Sequence, residues 1–230
     1  MQKTFADRVI DFYKGLSYQI ALPEGVEILN PYLHDARVME LARHFYQKFY
    51  HDQKLRHLII GINPGRFGGA VTGIPFTDPK RLQENCGLAY TGPLTHEPSS
   101  VFVYDMIEAF GGVDLFYSKF YINSVFPLAL TFRGKNYNYY DDKQLTALLL
   151  PVILENIENQ IALGICREVC YCLGLKNYTF LNRINKEYNF FDKIIPLEHP
   201  RYIVQYQHKN EKFFLDKYLA VLKENPINSF

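Results

Sequence analysis

Apolar positions along the chain alternate between helical repeats and short, continuously apolar runs. Between residues 4 and 16, Phe5, Val9, Ile10 and Tyr13 share one helical face, and Gly15 marks its end. A turn-rich connection through Pro23, Gly25 and Asn30-Pro31 follows. Asp35 is then placed to cap a second helix, whose Val38, Leu41, Ala42, Phe45 and Phe49 make an apolar stripe. Residues 55–60, short, apolar and β-branched, predict a buried strand. Residues 101–110 predict a helix stopped by Gly111-Gly112, and residues 119–126 predict a second strand.

Further on, Asp141-Asp142 predicts a cap for a long helix through Leu145, Leu148, Leu149, Val152 and Ile153, with a kink or break at Pro151. Residues 161–164 predict a third strand, and 166–173 a helix. A polar amphipathic piece covers 181–189, and a fourth strand covers 194–197. A closing helix spans about 210–223. Strands alternating with helices at these spacings predict an α/β fold with right-handed crossovers. The expected architecture is a three-layer α/β/α sandwich around a central, mainly parallel four-stranded sheet. No internal repeat or linker interrupts it, so residues 1–230 form one domain.

The stretch that organises this pattern follows the first strand. Residues 61–76 read G-I-N-P-G-R-F-G-G-A-V-T-G-I-P-F and contain five glycines, two prolines and one asparagine. A central strand feeding a glycine-rich loop is how open α/β folds present backbone to a ligand at the sheet's carboxyl edge. The loop lacks G-K-[ST], so it is no Walker A loop, and its spacing does not match G-x-G-x-x-G.

Composition narrows the partner. The chain is 48% hydrophobic and 21% charged with a net charge of +1, so no global field recruits a polyanion and any nucleic-acid face must gather its cations locally. The start of the chain lacks the apolar core and cleavage site of a signal peptide, and no run is long enough to span a membrane. A cytoplasmic monomer is expected. The four cysteines are Cys86, Cys166, Cys170 and Cys172. Cys166 and Cys170 lie four apart on the predicted helix with Cys172 pointing away, and no C-x-x-C pair exists. Buried free thiols are expected, with no metal and no cofactor.

In a parallel sheet every strand's carboxyl end lies on one edge. Asn63 follows the first strand, Asn123 ends the second, and His199 follows the fourth, so three uncharged hydrogen-bonding residues are expected to converge, with Phe67 and Phe76 as aromatic walls. That set suits a neutral, planar, polar ligand such as a nucleobase. Each residue also has a plainer reading: Asn63 as a turn former, Asn123 as a strand cap, His199 as a surface loop residue. Arg133, Lys135 and Tyr137 read either as DNA contacts or as an ordinary solvated loop.

These residues resemble a known family. Residues 61–76 are similar to the first active-site motif of the single-strand-selective monofunctional uracil-DNA glycosylases (SMUG), of general form G-M-N-P-G-P-F-G-M-A-Q-T-G-V-P-F. Tyr121-Ile122-Asn123 with Pro127-Leu128 resembles the family's middle motif, and His199-Pro200-Arg201 resembles its H-P-S-P-R motif. Order and approximate spacing match from about residue 58 to 201. The resemblance implies a uracil-DNA glycosylase-like fold and a cofactor-free, monofunctional glycosylase acting on DNA. It implies that Asn63 positions the attacking water, that His199 stabilises charge on the departing base, and that Ile62, Gly65, Phe76 and Asn123 bind it. Gly68, Gly69, Ser99 and Ser100 would contact DNA phosphates, and Pro200 and Arg201 the duplex; Ser99 and Ser100 read equally as caps of the helix that follows them.

The chain also departs from the pattern. Arg66, Gly69 and Val71 replace proline, methionine and glutamine, and His199-Pro200-Arg201 is two residues shorter than H-P-S-P-R. The wedge that fills the gap left by a flipped base then falls to Arg201 and Tyr202 or to another segment. Gly65, with Gly69, leaves room for the deaminated purines hypoxanthine and xanthine beside uracil. The expected function is hydrolysis of the N-glycosidic bond of deaminated bases flipped out of DNA. The alternatives are a non-catalytic module that senses a base in the same pocket and an unrelated nucleotide-binding enzyme, the latter disfavoured by the missing phosphate motifs.

Overall fold

Thr4 opens the first helix, α1 (Phe5–Gly15), with a reciprocal capping box. Its hydroxyl accepts from the Asp7 N–H at 3.1 Å, and the Asp7 carboxylate accepts from the Thr4 N–H at 2.9 Å. In the computed structural model, which describes residues 2–225, the chain continues through β1 (Val26–Leu29), α2 (Pro31–His34), α3 (Ala36–Phe49) and β2 (Arg56–Gly61). The glycine-rich stretch holds α4 (Gly69–Thr72). After it come α5 (Pro79–Glu84), α6 (Pro98–Phe110), α7 (Val113–Lys119) and β3 (Phe120–Ser124). Then follow β4 (Ala129–Phe132), β5 (Lys135–Tyr137), α8 (Lys143–Ala162), β6 (Ile165–Leu173), α9 (Leu175–Tyr188), β7 (Lys193–Leu197), α10 (Pro200–Tyr206) and α11 (Glu211–Lys223).

The central sheet has the order β3-β2-β6-β7, and every pairing is parallel. All residues of β2 and β3 are buried, as expected for parallel strands covered by helices on both faces. The register aligns Gly61 with Ser124, and Leu173 with Leu197, so the carboxyl ends of all four strands share one edge. Asn177, at the start of α9, fastens that edge. Its amide Nδ2 donates to the carbonyls of Gly61 (3.1 Å) and Leu173 (3.2 Å), while its Oδ1 accepts from the Tyr139 hydroxyl at 2.6 Å.

Three expectations are corrected. Residues 161–164 are not a strand: Ile161 and Ala162 end α8, and Gly164 turns the chain at φ +104°. Residues 166–173 are not a helix but most of β6, so Cys166, Cys170 and Cys172 lie along a strand; all four cysteines are free and buried. The cause is that its stretch from Val169 to Leu173, buried at every position, carries no alternation to separate it from a buried helix. Pro151 lies inside an unbroken twenty-residue α8, so no break occurs there.

A second, antiparallel sheet of order β1-β4-β5 uses residues read as turn and loop. Its three- and four-residue strands carry too little local pattern to be seen in sequence. The β4–β5 hairpin reaches the glycine loop: the Arg66 N–H donates to Asn136 Oδ1 at 3.1 Å, and the Arg66 guanidinium donates to the Gly134 carbonyl.

Candidate active site

A cavity of about 1090 Å³ opens at the carboxyl edge of the central sheet, between the glycine loop, the β4–β5 hairpin and the start of α10. Of the residues singled out from sequence, Ile62, Asn63, Gly65, Gly68, Gly69, Phe76, Ser99, His199 and Arg201 line it, as do Phe67, Tyr137 and Tyr202.

Asn63 is held by the hairpin. Its Nδ2 donates to the Tyr137 carbonyl at 3.0 Å and its Oδ1 accepts from the Tyr139 N–H at 3.3 Å. The amide plane is therefore fixed, and the second lone pair of Oδ1 remains for a donor in the cavity.

His199 caps α10. Its Nδ1 accepts from the Arg201 N–H at 3.1 Å, so the ring proton must sit on Nε2. Burial, aided by the Arg201 guanidinium, pushes the imidazole down to about 4, and the ring is neutral at neutral pH. Nε2–H has no protein acceptor among the described residues and is a preorganised donor at the cavity wall. Gly174 turns the chain beside it at φ +93°, a conformation that favours glycine, and its backbone packs close to the His199 and Ile62 side chains.

Phe76 occupies the left-handed region at φ +53°, unusual for a bulky residue. Neighbouring bonds hold it there: Thr77 N–H to the Ile74 carbonyl at 3.2 Å, and the Thr72 hydroxyl to the Thr77 carbonyl at 2.6 Å. The strain aims the ring across Gly61, whose absent side chain leaves Phe76 Cε2 at 3.5 Å from where a β-carbon would stand. The same ring lies 5.7 Å from that of His199. One aromatic face and one donor thus border the same space.

Three of the residues singled out are not brought to the cavity. Asn123 is buried and points to the other side of the sheet's edge, its Nδ2 donating to the Tyr121 hydroxyl at 2.8 Å and its Oδ1 accepting from the Ser124 N–H at 2.8 Å. Ser124, one residue on, lines the cavity instead, because side chains alternate along a strand. Ser100 is buried, its single hydroxyl proton shared between the Asp78 carboxylate at 2.8 Å and the Glu97 carbonyl at 2.7 Å. Burial works against the Asp78 carboxylate. Hydrogen bonds from Arg81 N–H, the Ser100 hydroxyl and Glu97 N–H nevertheless hold it below the ordinary carboxylate range. Pro200 is buried as the first residue of α10.

Ser124, Gly174, Tyr140 and Glu97 also line the cavity and carry no site signal in the sequence as first read. The period-two rule applied at the end of the second strand would have flagged Ser124. Gly174, after a strand and before a helix, carried a turn signal. Nothing local marks Glu97.

Residues 47–223 match the family described as the uracil DNA glycosylase superfamily. The chain is similar to the crystal structure of wild-type SMUG2 from Pedobacter heparinus, at 50% identity and a TM-score of 0.94, covering 96% of this chain and 98% of that one. No curated protein matches the chain. The chain therefore belongs to the uracil-DNA glycosylase superfamily and, within it, to the SMUG family.

Proposed function

We propose that this cavity receives a deaminated base flipped out of DNA and hydrolyses its bond to deoxyribose, leaving an abasic site. Uracil-DNA glycosylase activity is the activity of the family. Extrusion of a nucleotide from the stack costs a few kcal/mol, recovered in a fitted pocket. Phe76 offers the stacking face. As the C1′–N1 bond breaks, its electron pair moves onto the base and charge grows on O2. The Nε2–H of a neutral His199 meets that charge, an interaction on the scale of one oxyanion-hole donor, about 3–4 kcal/mol. Asn63 Oδ1 accepts from the water that attacks C1′. An amide orients that water without deprotonating it, which suits a leaving group that departs first.

The observation that carries this reading is the pairing of a neutral, Nε2-protonated His199 with a clamped Asn63 on one cavity. Gly65 favours a wider base range. A β-carbon there would meet nothing closer than 3.8 Å, which leaves room beside a pyrimidine C5 and supports hypoxanthine and xanthine as further substrates. Arg201 and the exposed rings of Tyr202 and Tyr206, 5.9 Å apart on α10, are the proposed wedge. Incubation with uracil-containing oligonucleotides, then alkali, reveals abasic sites as strand breaks. Intact strands from both single- and double-stranded substrates would overturn the reading.

A further inference from the structure

The Glu97 carboxyl borders the cavity, and the roles proposed above for uracil hydrolysis do not use it. It precedes α6 and lies over the glycine loop, so close to Gly68 that a β-carbon there would be 1.8 Å from Oε2. Its Oε2 is sealed from solvent and has no hydrogen-bond partner among the described residues. A carboxylate oxygen buried without a donor disfavours the charged form, so the carboxyl rests protonated with Oε1 toward the cavity. Its Oε1 and Asn136 Nδ2 are the two heavy atoms nearest the space above Gly65, at 3.8 and 3.9 Å from where a β-carbon on that glycine would stand. The gap left by the small residue is thus framed by polar groups.

We propose that Glu97, in its protonated form, is the acid for purine substrates: it hydrogen-bonds N7 of a flipped hypoxanthine or xanthine and delivers a proton there as the base leaves. This rests on the glycosylase reading and deepens it. When the glycosidic bond is held in common, purine C8 and N7 take the places of pyrimidine C6 and C5, so N7 faces the Gly65 gap. Deaminated purines carry acceptors at both N7 and O6, whereas adenine offers a donor at its 6-amino group. A carboxylic acid O–H beside the Asn136 amide N–H forms a donor pair that fits the deaminated edge. Uracil has a carbon-bound hydrogen in that place and gives the acid nothing to protonate.

The chemistry balances. The C1′–N9 bond breaks, its electron pair goes to the purine, and the Glu97 proton goes to N7. Water held by Asn63 adds to C1′ and releases a proton that restores the carboxyl. The groups facing Glu97 set its protonation. Burial and the nearby Asp78 carboxylate raise it to about 7, while Arg201 opposes them; His96, also beside Asp78, completes the surrounding set.

The test compares hypoxanthine with uracil cleavage, under single-turnover conditions, across pH. For the wild-type enzyme the hypoxanthine-to-uracil rate ratio is expected to fall as pH rises through about 7, since one unit above that value roughly one-tenth of the acid remains. Glu97→Gln keeps a donor but has no transferable proton; its ratio is expected to drop roughly a hundredfold and to lose the pH dependence. Gly68→Ala, which leaves Glu97 in the sequence but evicts its carboxyl from the notch, is expected to lower the ratio similarly. A wild-type enzyme that cleaves uracil but neither purine, or a Glu97→Gln ratio with an unaltered pH profile, would overturn the proposal while leaving the uracil reading intact. Loss of all cleavage by the wild-type enzyme would instead overturn the reading beneath it.

Discussion

His199 Nδ1 accepts the Arg201 backbone N–H at 3.1 Å, and this one bond decides which face of the imidazole carries a proton. It also sets a pH signature. The ring titrates near 4 in the folded protein and near the ordinary 6.5 once unfolded. Between those values the unfolded chain binds the extra proton, so the folded state loses stability as pH falls from about 6.5 toward 4. Asparagine, a good helix N-cap, is the matched replacement. Wild-type stability relative to His199→Asn should therefore decline over that window in denaturant titrations. A constant difference would show that the ring is not held neutral.

The Glu97 carboxyl carries the opposite sign. Its folded value of about 7 lies above the ordinary 4.5, so its contribution is present at pH 4.5 and lost as pH rises through 7. Glu97→Gln should consequently gain stability over wild type between pH 5 and 8. Melting curves at the two ends of that range check this.

Asn63 is fixed by the Tyr137 carbonyl and the Tyr139 N–H rather than by solvent. Asn63→Ala should cost uracil cleavage roughly a hundredfold or more, the scale of misplacing a reactant. Circular dichroism of the variant should remain that of the wild type. Near-normal turnover would remove Asn63 from the site.

Asn123 and Ser124 separate stability from activity. Asn123→Ala removes the side-chain acceptor of Ser124 N–H and leaves the buried Tyr121 hydroxyl only its longer bond to Tyr13, 3.5 Å, and should cost about 1–3 kcal/mol in unfolding free energy. Ser124→Ala touches the cavity and should change KM for uracil DNA with a smaller change in stability. The reverse pattern would show that the strand end is read in the wrong register.

Asn177 joins the ends of β2 and β6 to Tyr139. Asn177→Ala leaves the buried Tyr139 hydroxyl without its acceptor and takes a donor from the Leu173 carbonyl and from that of Gly61, which still accepts from Val125 N–H, and should destabilise by about 2 kcal/mol and loosen Asn63 through Tyr139. Denaturant unfolding together with cleavage rates would detect both effects.

What was legible in sequence was whatever has a local signature. The strand before Gly61, the glycine loop, Asn63, Phe76 and His199 all stood where a parallel sheet's carboxyl edge places them. The four-stranded parallel sheet itself followed from the strand–helix alternation. The nine-residue β6 was not legible, because its charged Arg167-Glu168 pair breaks the strand's pattern and the wholly buried stretch from Val169 to Leu173 reads equally as a buried helix. A single-residue difference moved the cavity side chain from Asn123 to Ser124, since successive strand residues face opposite sides. Glu97 gained its character from tertiary approach to Gly68, which no sequence window contains.

The central claim is that a neutral His199 donates from Nε2 to the departing base. Single-turnover release of uracil by wild type and His199→Asn, at pH 7.5 with saturating enzyme, tests it most directly. The account predicts a rate lower by about a hundred- to a thousandfold in the variant, the loss of one preorganised donor. A variant rate within a few-fold of wild type would contradict it.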